Sequence, residues 1–428
     1  MRICVGLTEI AGIAATYAGG FRQLGHEVYS VVTTRNPYYL DAAYDCVIDD
    51  WVGWTGKEVG MAAKARRALA RRRTQVRIFE TLESRTDLFI FLFGSSFLPG
   101  YADYRRICRS GARLVSVFLG SDIRHWYPFQ QEMQALGMEA EVRPFIDGIR
   151  AREIEGLAIK RRRVQAAERY ASLILSQPGN GQLQTRPYRR MTIPLDLSQY
   201  RCQIPLRRRP RVLHIPSWRV GKGTAEILAA VEALHGAGVE FDFQLVENTP
   251  NRQVREMLAA ADIVVDELYA DTVGVLSTEA MASGCVALVH YPTSYAGVAP
   301  DCPAVHITQD TLTDRLREVI LDLELRQRLA AAGRLYAEAH HDHVAITRQI
   351  LAWLEPSADP AGDPAGAPAG DPAGAPAGDP ADNPAGDPVG DFIPTFYQQL
   401  KIPAWVGAED LSRVRAVWLQ RLRLLTGG

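Results

Sequence analysis

Along residues 1–355, short wholly apolar runs alternate with longer stretches whose apolar positions recur every three or four residues. "RICVGL" at 2–7 predicts a buried strand. Residues 12–24 predict a helix stopped by Gly25, and "EVYSVVT" predicts the next strand. "DLFIFLF", "RLVSVFL" and "SLILS" are further runs of strand length, separated by helical stretches. After the basic "RRRPR" at 207–211 the alternation restarts. "VLHIP", "FDFQLV", "DIVVD" and "VALVH" read as strands, with helices over 224–236, 251–260 and 275–283 between them. Residues 311–355 read as helical. Strands that are apolar on both sides belong to parallel sheets covered on both faces. Two such series in tandem predict an α/β chain of two Rossmann-like domains, 1–205 and 206–355, facing each other across a cleft.

The pattern stops at Pro356. From there to Pro388 a proline stands at every fourth position among Ala, Gly and Asp. Proline removes backbone donors and little apolar surface is left to bury, so 356–391 read as a disordered or extended spacer. The tail, 392–428, opens on the aromatic "FIPTFYQQLKIPAWV". A helix is predicted after it, with Leu411, Val414, Trp418, Leu422 and Leu425 on one face.

Composition adds little to this picture, with 47% hydrophobic and 23% charged residues in 428. The opening strand lacks a leader's cleavage pattern, and no stretch approaches the roughly 20 apolar residues of a membrane span. Six scattered cysteines without a C-x-x-C pair suggest free thiols in a reducing cytoplasm. Charge is more informative. The net −1 conceals an excess of eight bases over 1–200 and of five acids over 201–355. The segment 56–77 carries eight bases and one acid, and "KRRR" at 160–163 adds a second cluster. Such a half is suited to an anionic membrane surface at the inner face of the membrane. Nucleic acid is the other polyanion, but no binding module for it is recognisable.

Open parallel sheets bind ligands at the C-terminal ends of their strands, near helix N-termini. Three loops meet that condition. "TEIAGIA" follows the first strand, and Gly12 there lets backbone come close to a ligand. "HIPSWRVGKGT" (214–224) follows the first strand of the second half and places Lys222, with Arg219 nearby, at the mouth of a helix where phosphate is favoured. "DTVGVLSTEAMASG" (271–284) puts Gly274 at a helix start and Glu279 a turn inside it. A carboxylate in that place can accept paired hydrogen bonds from vicinal hydroxyls, and Asp271 can reach the same cleft. "HHDH" at 340–343 invites a metal reading, but its flanks read as an ordinary helix, and no metal or cofactor is expected.

With these residues in view, "DTVGVLSTEAMASGCVAL" resembles the E-x7-E region of retaining GT-B glycosyltransferases of the family 4 type. "HIPSWRVGKGT" resembles that family's diphosphate-binding loop. "EIAG", "GSDIR" at 120–124 and "TIPLDLSQY" at 192–200 are similar to further family positions. The resemblance covers roughly 1–355 and is more specific in the second half. It implies a nucleotide-diphosphate sugar in the second domain and an acceptor at the first. Lys222 would bind the diphosphate and Glu279 the ribose, amides at Gly274 and Val275 would meet phosphate or sugar, and Asp271 would meet the donor sugar. Gly12 would line the cleft, as would Leu119, Ser121 and Asp122 of the "LGSD" turn. Three positions depart from the family: Leu119 replaces a frequent His, Ser217 replaces an Arg that Arg219 would have to stand in for, and Asp271 is a shortened Glu. The resemblance thus implies metal-independent sugar transfer with retention, in surface polysaccharide, glycolipid or glycoconjugate synthesis. The alternatives are a nucleotide-sugar-binding protein without turnover, or another GT-B enzyme such as an epimerase or phosphorylase.

Overall fold

The computed structural model describes residues 1–53, 60–269, 272–291 and 301–355, and in the tail 392–393, 402, 406–407, 410 and 412. The spacer 356–391, residues 56–59 of the basic segment, Asp271 and all five residues of the expected tail-helix face lie outside the described residues.

The first half forms a sheet of seven parallel strands: β1 (Arg2–Leu7), β2 (Glu27–Val32), β3 (Cys46–Val47), β4 (Leu88–Leu92), β5 (Arg113–Val117), β6 (Leu173–Ser176) and β7 (Tyr188–Arg190). Their order is β7-β6-β5-β4-β1-β2-β3. The second half forms β8 (Arg211–His214), β9 (Asp242–Leu245), β10 (Ile263–Val265), β11 (Val286–Val289) and β12 (Val305–His306), in the order β12-β11-β10-β8-β9, again all parallel. The wholly apolar runs lie where helices cover both faces: every residue of β4 and of β11 is buried. In each sheet the chain reverses its direction of growth once, between β1 and β4 and between β8 and β10. Loops leaving those strands diverge to opposite faces and open a crevice at the strand ends.

The halves exchange helices. His343–Leu354, at the end of the second half, packs against the helix Ile13–Gln23 of the first, with Ile350 and Leu354 in the core around β1. Gly20 permits this contact, since a Cβ there would lie 2.6 Å from the His343 carbonyl oxygen. Conversely, Trp126–Ala135 and Glu139–Arg152 of the first half carry Phe129, Val142, Phe145 and Ile146 into the core of the second. The excess apolar surface on those two helices is therefore covered by the other domain.

The tail returns to the first domain. β13 (Phe392–Ile393) pairs antiparallel with β7 and extends the sheet to eight strands. Further on, Val406 and Asp410 are buried. The Asp410 carboxylate sits 2.8 Å from His125 Nε2, and it accepts from Trp126 Nε1 at 3.4 Å and from the Leu157 amide at 3.1 Å. Leu157 lies in the first turn of the helix Gly156–Tyr170, where a negative charge is favoured. Burial pushes the Asp410 carboxyl up, but the bonds from His125, Leu157 and Trp126 outweigh it and hold it below its ordinary value.

A group held low in the folded state stabilises the fold fully above the ordinary carboxylate range. That contribution is lost as pH falls through the lowered value. Asp410→Ala strands the buried Leu157 amide, and is expected to cost about 1–3 kcal/mol at neutral pH. The deficit against wild type should shrink on acidification, as read by urea denaturation at pH 7 and below 4.

Candidate functional site

Between the domains lies a cleft of about 250 Å3 built from the ends of these strands. From the first domain it takes Ile10 and Ala11 after β1, Leu119 and Arg124 after β5, and Met191 and Ile193 after β7. From the second it takes Ser217, Trp218 and Lys222 after β8, and Glu267, Thr272, Gly274 and Val275 after β10. Both reversal points thus feed one site. Of the residues expected from sequence, Lys222, Gly274, Val275, Ser217 and Leu119 meet here.

Lys222 ends a one-turn helix, Arg219–Lys222, that follows β8. Its ammonium lies 2.6 Å from Asp266 Oδ1 and also pairs with the Glu267 carboxylate. Burial pushes the Lys222 ammonium down, but these two carboxylates outweigh it and raise its pKa above the ordinary value. Asp266 is fully buried. Its other oxygen accepts from the amide and the hydroxyl of Ser277, at 3.1 and 2.7 Å, and so caps the helix Val275–Ala282. One carboxylate therefore ties the lysine to the helix start. Gly274 stands before that helix, and a Cβ there would lie 3.1 Å from Glu267 Oε1. His214, at the end of β8, bonds the Val265 carbonyl and the Thr224 hydroxyl, locking the two loop-bearing strands together. Burial lowers its pKa to about 4, so it is a neutral strut.

Glu279 is buried below the cleft. Its Oε1 accepts from the Tyr200 hydroxyl and the Asn251 amide, each at 2.9 Å. Burial raises its carboxyl above the ordinary value despite these bonds. A loop of the first domain approaches the same place. The Tyr38 carbonyl accepts from the Asn251 backbone N–H at 2.7 Å, and Asp41 pairs with Arg255 at 2.6 Å. Tyr39 packs on Gly12, whose φ of +78° and missing Cβ make room for the ring. Burial and then the charge of Glu279 push the Tyr39 phenol well above its ordinary range.

Several expected residues have other work. Arg219 pairs with Glu247 at the surface and is not among the residues lining the cleft. Asp122 is buried and accepts from the amides of Leu119 and Gly120, so it shapes the turn. Ser121 is exposed and offers its carbonyl to Lys160. In "KRRR", Lys160 is buried against Glu153, and Arg163 bonds Glu155 and the Asp122 carbonyl, so two of the four bases serve the fold. In "HHDH", His341 bonds the Ile193 carbonyl and Asp342 caps the last helix. Among the described residues no cluster of three or more metal-ligating side chains occurs.

Sequence reasoning missed Asp266, Glu267, Trp218 and Arg124. Arg124 stacks over Phe145 at 4.7 Å and over Phe129 at 5.6 Å, and bonds Asn180. The signal for the two acids was present: an Asp-Glu pair directly after an apolar strand, at the end where ligands bind.

No family model and no curated protein matches the chain. Solved structures do. The Anabaena HepE protein in complex with UDP and glucose is 14% identical over 83% of this chain and 99% of its own, with a TM-score of 0.51. Sucrose-phosphate synthase from Thermosynechococcus elongatus is 12% identical over 82% and 98%, at 0.52. An alpha-glucosyltransferase in complex with UDP and a 13-mer DNA containing a HMU base is 13% identical over 83% and 100%, at 0.51. What these likenesses show is the architecture: two parallel-sheet domains facing across a cleft, the GT-B fold of glycosyltransferases.

Proposed function

We propose that the chain is a glycosyltransferase moving a sugar from a nucleotide-diphosphate donor in the second domain to an acceptor hydroxyl at the first. The observation that carries this reading is the meeting of Lys222 with the start of the helix Val275–Ala282 on one wall of the inter-domain cleft. Breaking the sugar–phosphate bond leaves negative charge on the diphosphate. A fixed ammonium and helix-terminal amides stabilise that charge as it develops, which needs no metal ion. Glu279 would hold the ribose once its contacts to Tyr200 and Asn251 rearrange, and Asp271 would meet the sugar. UDP-bound neighbours of the same fold support a nucleotide donor. Retention of configuration, and a role in surface polysaccharide or glycolipid synthesis, belong to the same reading. Binding without turnover is its rival, favoured by the pairing of Lys222 with two carboxylates. A thermal-shift panel of UDP-, GDP-, ADP- and CMP-sugars tests it: one donor class should raise the melting temperature, and no stabilisation by any would reject it. Product formation from that donor separates transfer from binding alone.

The basic segment fits an anionic membrane surface on one side only. Met61–Glu83 is a helix, and its inward bases are used: Arg71 pairs with Asp49 and Arg72 bonds the Phe97 carbonyl. Arg66, Leu69, Arg73 and Arg77 fall three or four positions apart on one stripe, and all are exposed. Leu69 is 52%, Met61 56% and nearby Trp51 62% exposed. Apolar side chains among bases match a lipid interface, at about 1 kcal/mol per base. Arg66→Glu, Arg73→Glu and Arg77→Glu together should abolish flotation with phosphatidylserine vesicles while leaving the melting temperature unchanged. Among the described residues no helix is long and apolar enough to cross a membrane.

A further inference from the structure

Lys222 and the start of the helix Val275–Ala282 are the two features that would hold a ligand's phosphates, and each already faces an anion supplied by the chain. Asp266 is one, and it is fixed: fully buried, bonded to Lys222 and twice to Ser277. Glu267 is different. It lines the cleft, its carboxylate pairs with the Lys222 ammonium, and Oε1 reaches within 3.1 Å of where a Gly274 Cβ would stand. Its side chain is 19% exposed, against 0% for Asp266. Glu267 therefore reaches the phosphate position from the cleft side, where an incoming anion meets it first.

We propose that Glu267 is a tethered stand-in for the ligand's phosphate, so that binding exchanges one anion for another on Lys222. This rests on the reading of the cleft as a nucleotide-diphosphate site. The exchange has two consequences. The empty site keeps its ammonium compensated, avoiding the cost of a partly buried lone cation. Affinity is set by how much better a diphosphate satisfies Lys222 and the helix amides than one carboxylate does. Glu267 thus sets the strength of binding, acting through Lys222.

The test is calorimetric titration of the full chain with UDP and with UMP, in wild type, Glu267→Gln, Glu267→Ala and Lys222→Met. Each variant's melting temperature is recorded alongside. Removing the competing charge should tighten UDP binding about tenfold in both Glu267 variants, equal to ~1.4 kcal/mol. It should tighten UMP as well, and by no more than UDP, because each ligand displaces the same carboxylate, whereas a merely structural role would weaken both. UDP affinity that is unchanged or weaker in both Glu267 variants, with Lys222→Met still impaired, overturns the stand-in and leaves the site reading intact. UDP binding at wild-type strength in Lys222→Met, or no binding of UDP, GDP, ADP or CDP by any variant, removes the site reading and the proposal with it.

Discussion

Lys222→Met is expected to abolish measurable nucleotide-diphosphate binding and to lower the melting temperature at the same time. The two losses have different origins. Binding suffers because a charge-assisted contact to phosphate is worth about 1.5–3 kcal/mol, roughly 10- to 100-fold in affinity. The carboxylates of Asp266 and Glu267 then face the ligand without compensation and add repulsion. Stability suffers because Asp266 has no exposure and loses the cation paired with it, and breaking one side of a buried ion pair costs about 3–5 kcal/mol.

A second background separates the effects. Asp266→Asn with Glu267→Gln removes both negative charges while keeping the shapes. Lys222→Met in that background should recover most of the melting temperature and still fail to bind UDP. Recovery of both would show that Lys222 supports the fold alone. Wild-type stability in the single variant would show that the triad carries little energy.

What the chain's pattern discloses depends on how local the cause is. The long strands and the helices between them were legible because burial on both faces requires runs such as "LFIFL" and "VALV" with no polar interruption. The short strands β3, β7 and β12 were not, because two or three residues at or next to a sheet margin make no run. Lys222, Gly274 and Val275 could be placed in advance, since each follows a strand end at a reversal point of its sheet. Arg219 and Asp122 could not. Whether an arginine turns to the cleft or to Glu247, and whether an aspartate faces a ligand or the amides of its own turn, depends on neighbours distant in sequence. The bases of Met61–Glu83 show the same limit. Their number is written in the sequence, but which of them remain at the surface is decided by Asp49 and the Phe97 carbonyl. The helix exchange is hidden for a related reason: periodicity reveals that Glu139–Arg152 has an apolar face, not which domain covers it.

That exchange leads to the second large effect, which is expected at Gly148 although this residue is absent from the cleft lining. Trp218, on the cleft wall, is gripped between two glycines from different domains. A Cβ at Gly148 would lie 2.2 Å from its Cζ2, and one at Gly221 would lie 2.2 Å from its Cε3. Phe145 sits 5.7 Å from the ring and Arg152 covers it at 4.8 Å. The ring is the joint by which the helix Glu139–Arg152 grips the second domain, and it is closely packed against both glycines. Gly148→Ala should therefore force Trp218 out of place, at a cost of about 1–3 kcal/mol despite the better helix propensity of alanine. Because the same ring walls the cleft beside Lys222, UDP affinity should fall with it. The check is a double-mutant cycle in urea denaturation. Trp218→Phe alone leaves a void and destabilises, but in the Gly148→Ala background the smaller ring makes room for the added methyl. The two substitutions together should then cost less than the sum of their separate effects. Strict additivity would mean that the two residues do not meet, and that the first half is held to the second by other contacts.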